Sequence, residues 1–308
     1  MRKPGNCNTG VMSPTHSAPA TLPASVHCEE GTGGLTVVRV AGRAGSAEVY
    51  LHGAQVTGFT PAGGDPLLFL SEASRFEAAA AIRGGVPICF PWFGANATDP
   101  AAPSHGFARL SEWEFVDAHE TGDDVVLVLR LTDTAATRAS AWPHRFEAVY
   151  TVTVGARLTL ALRVTNLETD AVTFEEALHT YLRVSEVRGT TVSGLQGTPI
   201  LNQVTGLTEP AESTPVRFTA ETDRLYLGSR GSATVTDPDG RMITIEADRS
   251  DSTVVWNPWT DKASTLADFG DDEWPGMVCV ETANVRRDQV HLDAGQSHTM
   301  SVVFDVSG

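Results

Sequence analysis

The chain has 308 residues, 41% hydrophobic and 19% charged, a balance that allows a substantial buried core and excludes disorder throughout. Thirty-eight acidic residues against 22 basic ones give a formal charge of −16, which excludes a general affinity for nucleic acid or anionic membranes. An anionic ligand would need a local basic pocket, and no apolar run approaches the roughly 20 residues of a membrane-spanning helix, so a soluble cytoplasmic protein is expected.

Residues 1–34 are rich in Pro, Gly, Ser and Thr and lack the continuous apolar stretch of a secretory signal. They read as a flexible tail ahead of a single domain at 35–308. Cys7 and Cys28 fall in that tail, whereas Cys89 and Cys279 sit inside apolar runs without C-x-x-C spacing and read as buried free thiols.

From Leu35 onward short alternating runs bounded by turn residues dominate, a pattern of β-strands. Strands are predicted at Ala47–His52, Asp124–Leu131, Val172–Arg183, Thr253–Trp256, Met277–Thr282 and His298–Val306. Phe146–Val154 and Arg157–Thr165, separated by Gly155-Ala156, read as one hairpin. Ala233–Asp237 and Met242–Ala247 read as another, because Pro238 and Gly240 favour a tight reversal. Helical turns are predicted only near Glu72–Phe76 and Asp261–Phe269. So many strands without a βαβ rhythm predict an all-β fold, a large antiparallel sandwich.

Several segments have compositions that a purely structural strand would not need. In Ile82–Gly94, IRGGVPICFPWFG, two prolines and a Gly pair predict a rigid, non-repetitive loop. There Arg83 offers a planar fork to a phosphate or carboxylate, or else makes a surface ion pair. In Ser104–Arg109, an extended backbone would put His105, Phe107 and Arg109 on one face, fit for a sugar with a cation at its edge, although a hydrogen-bonded structural histidine is the alternative.

Further along, period-two reading of Ala177–Val184 places Leu178, Leu182 and Val184 toward the core and leaves Ala177, His179 and Tyr181 on the opposite face. His179 there is either catalytic or simply hydrogen-bonded. Asp223 could bind a sugar hydroxyl or lie in a solvated turn. Glu281, in the apolar run Met277–Val285, is costly to bury unless paired or used, and its acidity is open to tuning. Nucleotide-binding, dinucleotide-binding, zinc-protease and serine-hydrolase motifs are all missing from the sequence.

Taken together, IRGGVPICFPWFG, SHGFAR at Ser104–Arg109, ALHTYLRV at Ala177–Val184, TDRLYL at Thr222–Leu227, WNPW at Trp256–Trp259 and MVCVETANV at Met277–Val285 resemble the hexose-6-phosphate mutarotase branch of the aldose 1-epimerase superfamily. Each is weakly specific, but the six occur in family order and span the chain from about Leu51 to Phe304.

The resemblance implies a galactose-mutarotase-like supersandwich with its site on a concave sheet face. It makes His179 the general acid and Glu281 the general base, with His105 and Asp223 holding sugar oxygens and Arg83 and Arg109 binding phosphate. Ser104 joins the substrate-binding set, at a position where some relatives carry Gln. Exchange of anomers requires one acid and one base, so no metal or other cofactor is expected. The expected partner is a small hexose 6-phosphate bound by a monomer, with no nucleic acid and no membrane involved. A mutarotase for free aldoses and a non-catalytic carbohydrate-binding sandwich are the competing readings.

Overall fold

The structure is a computed structural model, and it describes residues 21–308. Two large antiparallel sheets dominate it. The first has nine strands in the spatial order Val216–Arg217, Thr191–Ser193, Ala233–Thr236, Met242–Asp248, Ser297–Ser307, Leu158–Asn166, Phe146–Val154, Asp124–Thr132 and Glu114–Thr121. Its centre follows the alternation of the sequence: Phe146, Ala148, Tyr150, Val152 and Val154 are buried, as are Leu158, Leu160, Leu162 and Val164, while the residues between them face outward. The predicted hairpins form here, with Val154 paired to Leu158 and Thr236 paired to Met242.

The second sheet runs Leu207–Glu209, Ile200–Asn202, Thr222–Leu227, Ser252–Asn257, Met277–Asn284, Glu176–Leu178 and Ile88–Cys89, with Tyr181–Arg183 also paired to Met277–Asn284. Met277–Asn284 is buried at every position, which explains its non-alternating apolar sequence: both of its faces are covered, and Glu281 is its one residue that lines a cavity. A four-stranded sheet of Val26–Glu30, Thr36–Ala41, Gly45–Tyr50 and Gln55–Pro61 and a small pair, Val172–Phe174 with Val290–Leu292, complete the all-β architecture. Among the described residues no helix is long and apolar enough to cross a membrane. Cys89 and Cys279 are buried free thiols, as predicted.

Four local expectations are revised. Within the stretch read as a tail, Val26–Glu30 is a strand paired in register with Thr36–Val40, so the folded unit begins before Leu35; residues 1–20 lie outside the described residues. The single strand predicted at Val172–Arg183 is three short strands, because the backbone leaves the ladder at Glu175, whose N–H donates to the Pro91 carbonyl, and again at His179, whose N–H donates to the Pro87 carbonyl. Glu72–Phe76 forms no helix, and the second predicted helical turn is one short helix, Trp259–Ala263, followed by turns. His105 is not extended: its φ is 62°, and Ala108–Leu110 form a 3-10 turn, so His105, Phe107 and Arg109 do not share a strand face.

Candidate active site

His179 and Glu281 come from segments far apart in the chain, and the second sheet makes them neighbours. Glu176–Leu178 and Tyr181–Arg183 pair with Met277–Asn284 in one continuous register, so His179 stands opposite Glu281. Between the two short strands the Thr180 N–H turns back onto the Leu178 carbonyl at 2.8 Å, a tight turn about His179 that frees its side chain from the ladder. His179 Nε2 lies 3.4 Å from Glu281 Oε1. The imidazole is stacked on Tyr181, centroids 4.9 Å apart and planes 12° from parallel, and meets His105 and Trp256 edge-on at 5.7 and 6.0 Å.

This pair lies in a cavity of about 350 Å³ whose lining also includes Arg83, Ser104, His105, Arg109 and Asp223. Every residue singled out in the sequence for chemistry is therefore in one place. Glycine makes this possible at two points. A Cβ on Gly85 would sit 2.1 Å from the Val56 carbonyl oxygen, and one on Gly106 would sit 2.0 Å from that of Phe90, so the loops bearing Arg83 and His105 pack against neighbouring backbone as no other residue would allow.

The polar contacts within the cavity are specific. Arg83 donates to the Tyr181 hydroxyl at 3.1 Å and to Asp268 at 3.1 Å. Arg109 donates to the Ser104 carbonyl at 2.8 Å, and the Gly94 N–H donates to His105 Nδ1 at 3.2 Å, which leaves the proton of a neutral His105 on Nε2. Asp223 accepts from Gln203 at 2.6 Å. Against this, Arg83 Nε, Arg109 Nε, His179 Nδ1 and Glu281 Oε2 are buried without a hydrogen-bond partner. Buried polar atoms are nearly always paired, and four of the nine such orphans among the described residues belong to side chains that line this cavity.

Electrostatics sharpen the picture. Burial pushes the His179 imidazole well below its ordinary range, reinforced by His105, Arg109 and Arg83. Burial likewise pushes the Glu281 carboxyl well above its ordinary range, reinforced by Asp223 and partly offset by Arg109. At 3.4 Å the two have ion-pair spacing, yet desolvation opposes both charges, so burial favours neutral imidazole beside carboxylic acid over an ion pair. His105 is pushed down to about 3, chiefly by burial and then by Arg109 and Arg83, and stays neutral. Asp223 is raised by burial, with the Gln203 hydrogen bond opposing.

Sequence reasoning did not single out Gln203, Lys262 or Leu266 as lining residues, nor Asp268 as the partner of Arg83. Trp256 and Tyr181 stood in the quoted segments without a role; here they pack around the imidazole. Lys262 and Asp268 lie where only a helical turn was predicted, and no local pattern gives their reach into the cavity.

An imidazole and a carboxyl side by side in a cation-lined cavity, on an antiparallel supersandwich, are equipped for acid–base chemistry, and the family of the chain is one of isomerases. The profile of the aldose 1-epimerase family matches residues 36–305, and the chain belongs to that family. It is 34% identical over 265 residues to a protein of Cenchrus ciliaris provisionally named glucose-6-phosphate 1-epimerase, covering 78% of this chain and 75% of that relative. To an Escherichia coli (strain K12) protein of the same provisional name it is 35% identical over 240 residues, covering 77% and 79%. A crystal structure from Salmonella typhimurium, provisionally named a mutarotase, superposes with a TM-score of 0.86 at 28% identity over 94% of this chain and 96% of that one.

Proposed function

We propose that this chain interconverts the α and β anomers of a hexose 6-phosphate, with glucose 6-phosphate as the substrate suggested by the names of its relatives. The observation that carries the reading is the His179–Glu281 pair at 3.4 Å in a cavity that Arg83 and Arg109 also line. Ring opening needs a proton delivered to the ring oxygen and one removed from the C1 hydroxyl. Both oxygens are bonded to C1, so an acid and a base in contact with each other suit the task better than groups a ring's width apart.

His179 in its charged form gives its proton to the ring oxygen as Glu281 takes the hydroxyl proton, and the C1–ring oxygen bond breaks to leave an aldehyde. After rotation about the bond from C1, closure on the other face returns both protons. The neutral state that burial favours is the one the pair reaches while the open aldehyde is bound. Neutral His105 and Asp223 take sugar hydroxyls, Arg83 and Arg109 take the phosphate, and Ser104 contributes through its carbonyl bond to Arg109.

The reading includes one catalytic unit acting as a monomer in the cytoplasm. The large apolar side chains exposed among the described residues, Val116, Leu167, Val204, Leu207 and Met242, do not form one continuous segment, which supports a monomer. Polarimetry on freshly dissolved α-glucose 6-phosphate and α-glucose tests the substrate: faster decay of rotation for the phosphate is expected, and equal acceleration of both would remove phosphate specificity.

A further inference from the structure

Arg83 is tied to the catalytic pair as well as to the cavity. One of its terminal nitrogens holds Asp268, the other holds the Tyr181 hydroxyl, and its Nε is buried and unpaired. The Tyr181 ring in turn lies flat on His179. A single aromatic ring thus separates the guanidinium from the imidazole, whose Nε2 faces Glu281.

We propose that an anion bound at Arg83 and Arg109 activates the His179–Glu281 pair as well as anchoring the substrate, by moving the proton the pair shares onto the imidazole, where ring opening requires it. The phosphate of a hexose 6-phosphate is then a switch for chemistry at the opposite end of its own sugar. This rests on the hexose-phosphate reading above.

The groups that face His179 are Glu281 from the Met277–Asn284 strand, Trp256 from Ser252–Asn257, His105 from its loop and Tyr181 from its own segment, with Arg83 and Arg109 beyond. The two arginines both oppose positive charge on the imidazole, and Arg83 is tied to it through the stacked Tyr181 ring, whereas Glu281 meets the imidazole at Nε2. A dianion that cancels the field of Arg83 therefore makes imidazolium easier to form without an equal effect on the carboxyl. Proton transfer from Glu281 to His179 leaves the total charge of the pair unchanged and consumes no external proton. A free aldose filling the same cavity leaves the proton on Glu281, so it is penalised in turnover and not only in binding.

The test uses the intact enzyme and supplies the anion separately from the sugar. Turnover of α-glucose 6-phosphate is first measured by polarimetry; its absence would remove the reading on which the inference rests. Turnover at saturating α-glucose is then followed with rising inorganic phosphite, after subtraction of the reaction without enzyme. A saturable increase in kcat of about tenfold or more is expected, by the same reasoning that lets remote binding energy drive chemistry. Arg83→Gln should lose this activation.

Phosphite that leaves glucose turnover unchanged, while competing with glucose 6-phosphate, would overturn the proposal and leave the arginines as an anchor. The pH profile gives a second readout. His179 must be protonated to act as acid, so activity falls as pH rises through its pKa, and the fall should come at higher pH for glucose 6-phosphate than for glucose. Coincident alkaline limbs would also overturn it.

Discussion

His179 and Glu281 occupy opposite positions of one antiparallel register, and their Nε2 and Oε1 atoms are 3.4 Å apart. Neither is exposed to solvent to any extent, at 7% and 1%. The arrangement sets an imidazole and a carboxyl side by side, and the consequences of the proposed reading can be measured.

Glu281→Gln and His179→Ala should each lower kcat by about a thousandfold, within the range for loss of a general acid or base. Glu281→Gln keeps the shape and removes a carboxyl that burial disfavours in its charged form, so its urea midpoint should equal or exceed that of the parent at neutral pH. A variant with unchanged rate would point to a binding module.

Arg109→Leu should raise KM for glucose 6-phosphate by about a hundredfold, the loss of a charge-assisted contact of roughly 2–3 kcal/mol. Affinity for free glucose should change little. Inhibition constants for inorganic phosphate on the two proteins would check this, since the anion alone should lose the same factor.

His105 supplies a stability signature. Its folded-state pKa is about 3, against 6.5 for an unperturbed histidine, so the unfolded chain binds a proton that the folded one refuses. The folded state therefore loses stability as pH falls below 6.5 and keeps losing it down to about 3. Between pH 7 and 4.5 this amounts to about 2 kcal/mol. Urea unfolding at the two pH values should show a drop smaller by about that amount in His105→Asn than in the parent, and equal drops would contradict the assignment.

Gly106→Ala should cost about 3 kcal/mol, because the added methyl meets the Phe90 carbonyl oxygen at 2.0 Å at a residue with φ of 76°. That carbonyl already accepts the N–H groups of Phe107 and Ala108, so it has little room to retreat. Thermal unfolding would register the loss, and sugar-phosphate affinity should fall with it because His105 is the preceding residue.

Much of this architecture was legible beforehand. Alternation identified the central strands of the nine-stranded sheet, whose one face is core and other face solvent, so that the burial pattern and the sequence pattern coincide, but it missed the edge strand Glu114–Thr121. Val26–Glu30 escaped because only Val26 is buried, leaving no alternation to read. The residues that line the cavity and were singled out beforehand stood in six segments in family order, but their geometry was not legible there. Left-handed His105, the break at His179 and the Arg83–Asp268 pair depend on contacts across long stretches of chain, 185 residues in the last case. No window of local sequence contains both partners.

The register that sets His179 opposite Glu281 also ties the site to correct assembly. In a strand, slipping the pairing by one residue sends every side chain to the other side of the sheet. A chain that closed Met277–Asn284 against its neighbour one step out would turn Glu281 away from the imidazole and bring Val280 or Thr282 in its place. Enzymatic turnover is thus a count of correctly assembled molecules, and recovery of activity after dilution from denaturant should track the last strand-pairing event, not the collapse that precedes it.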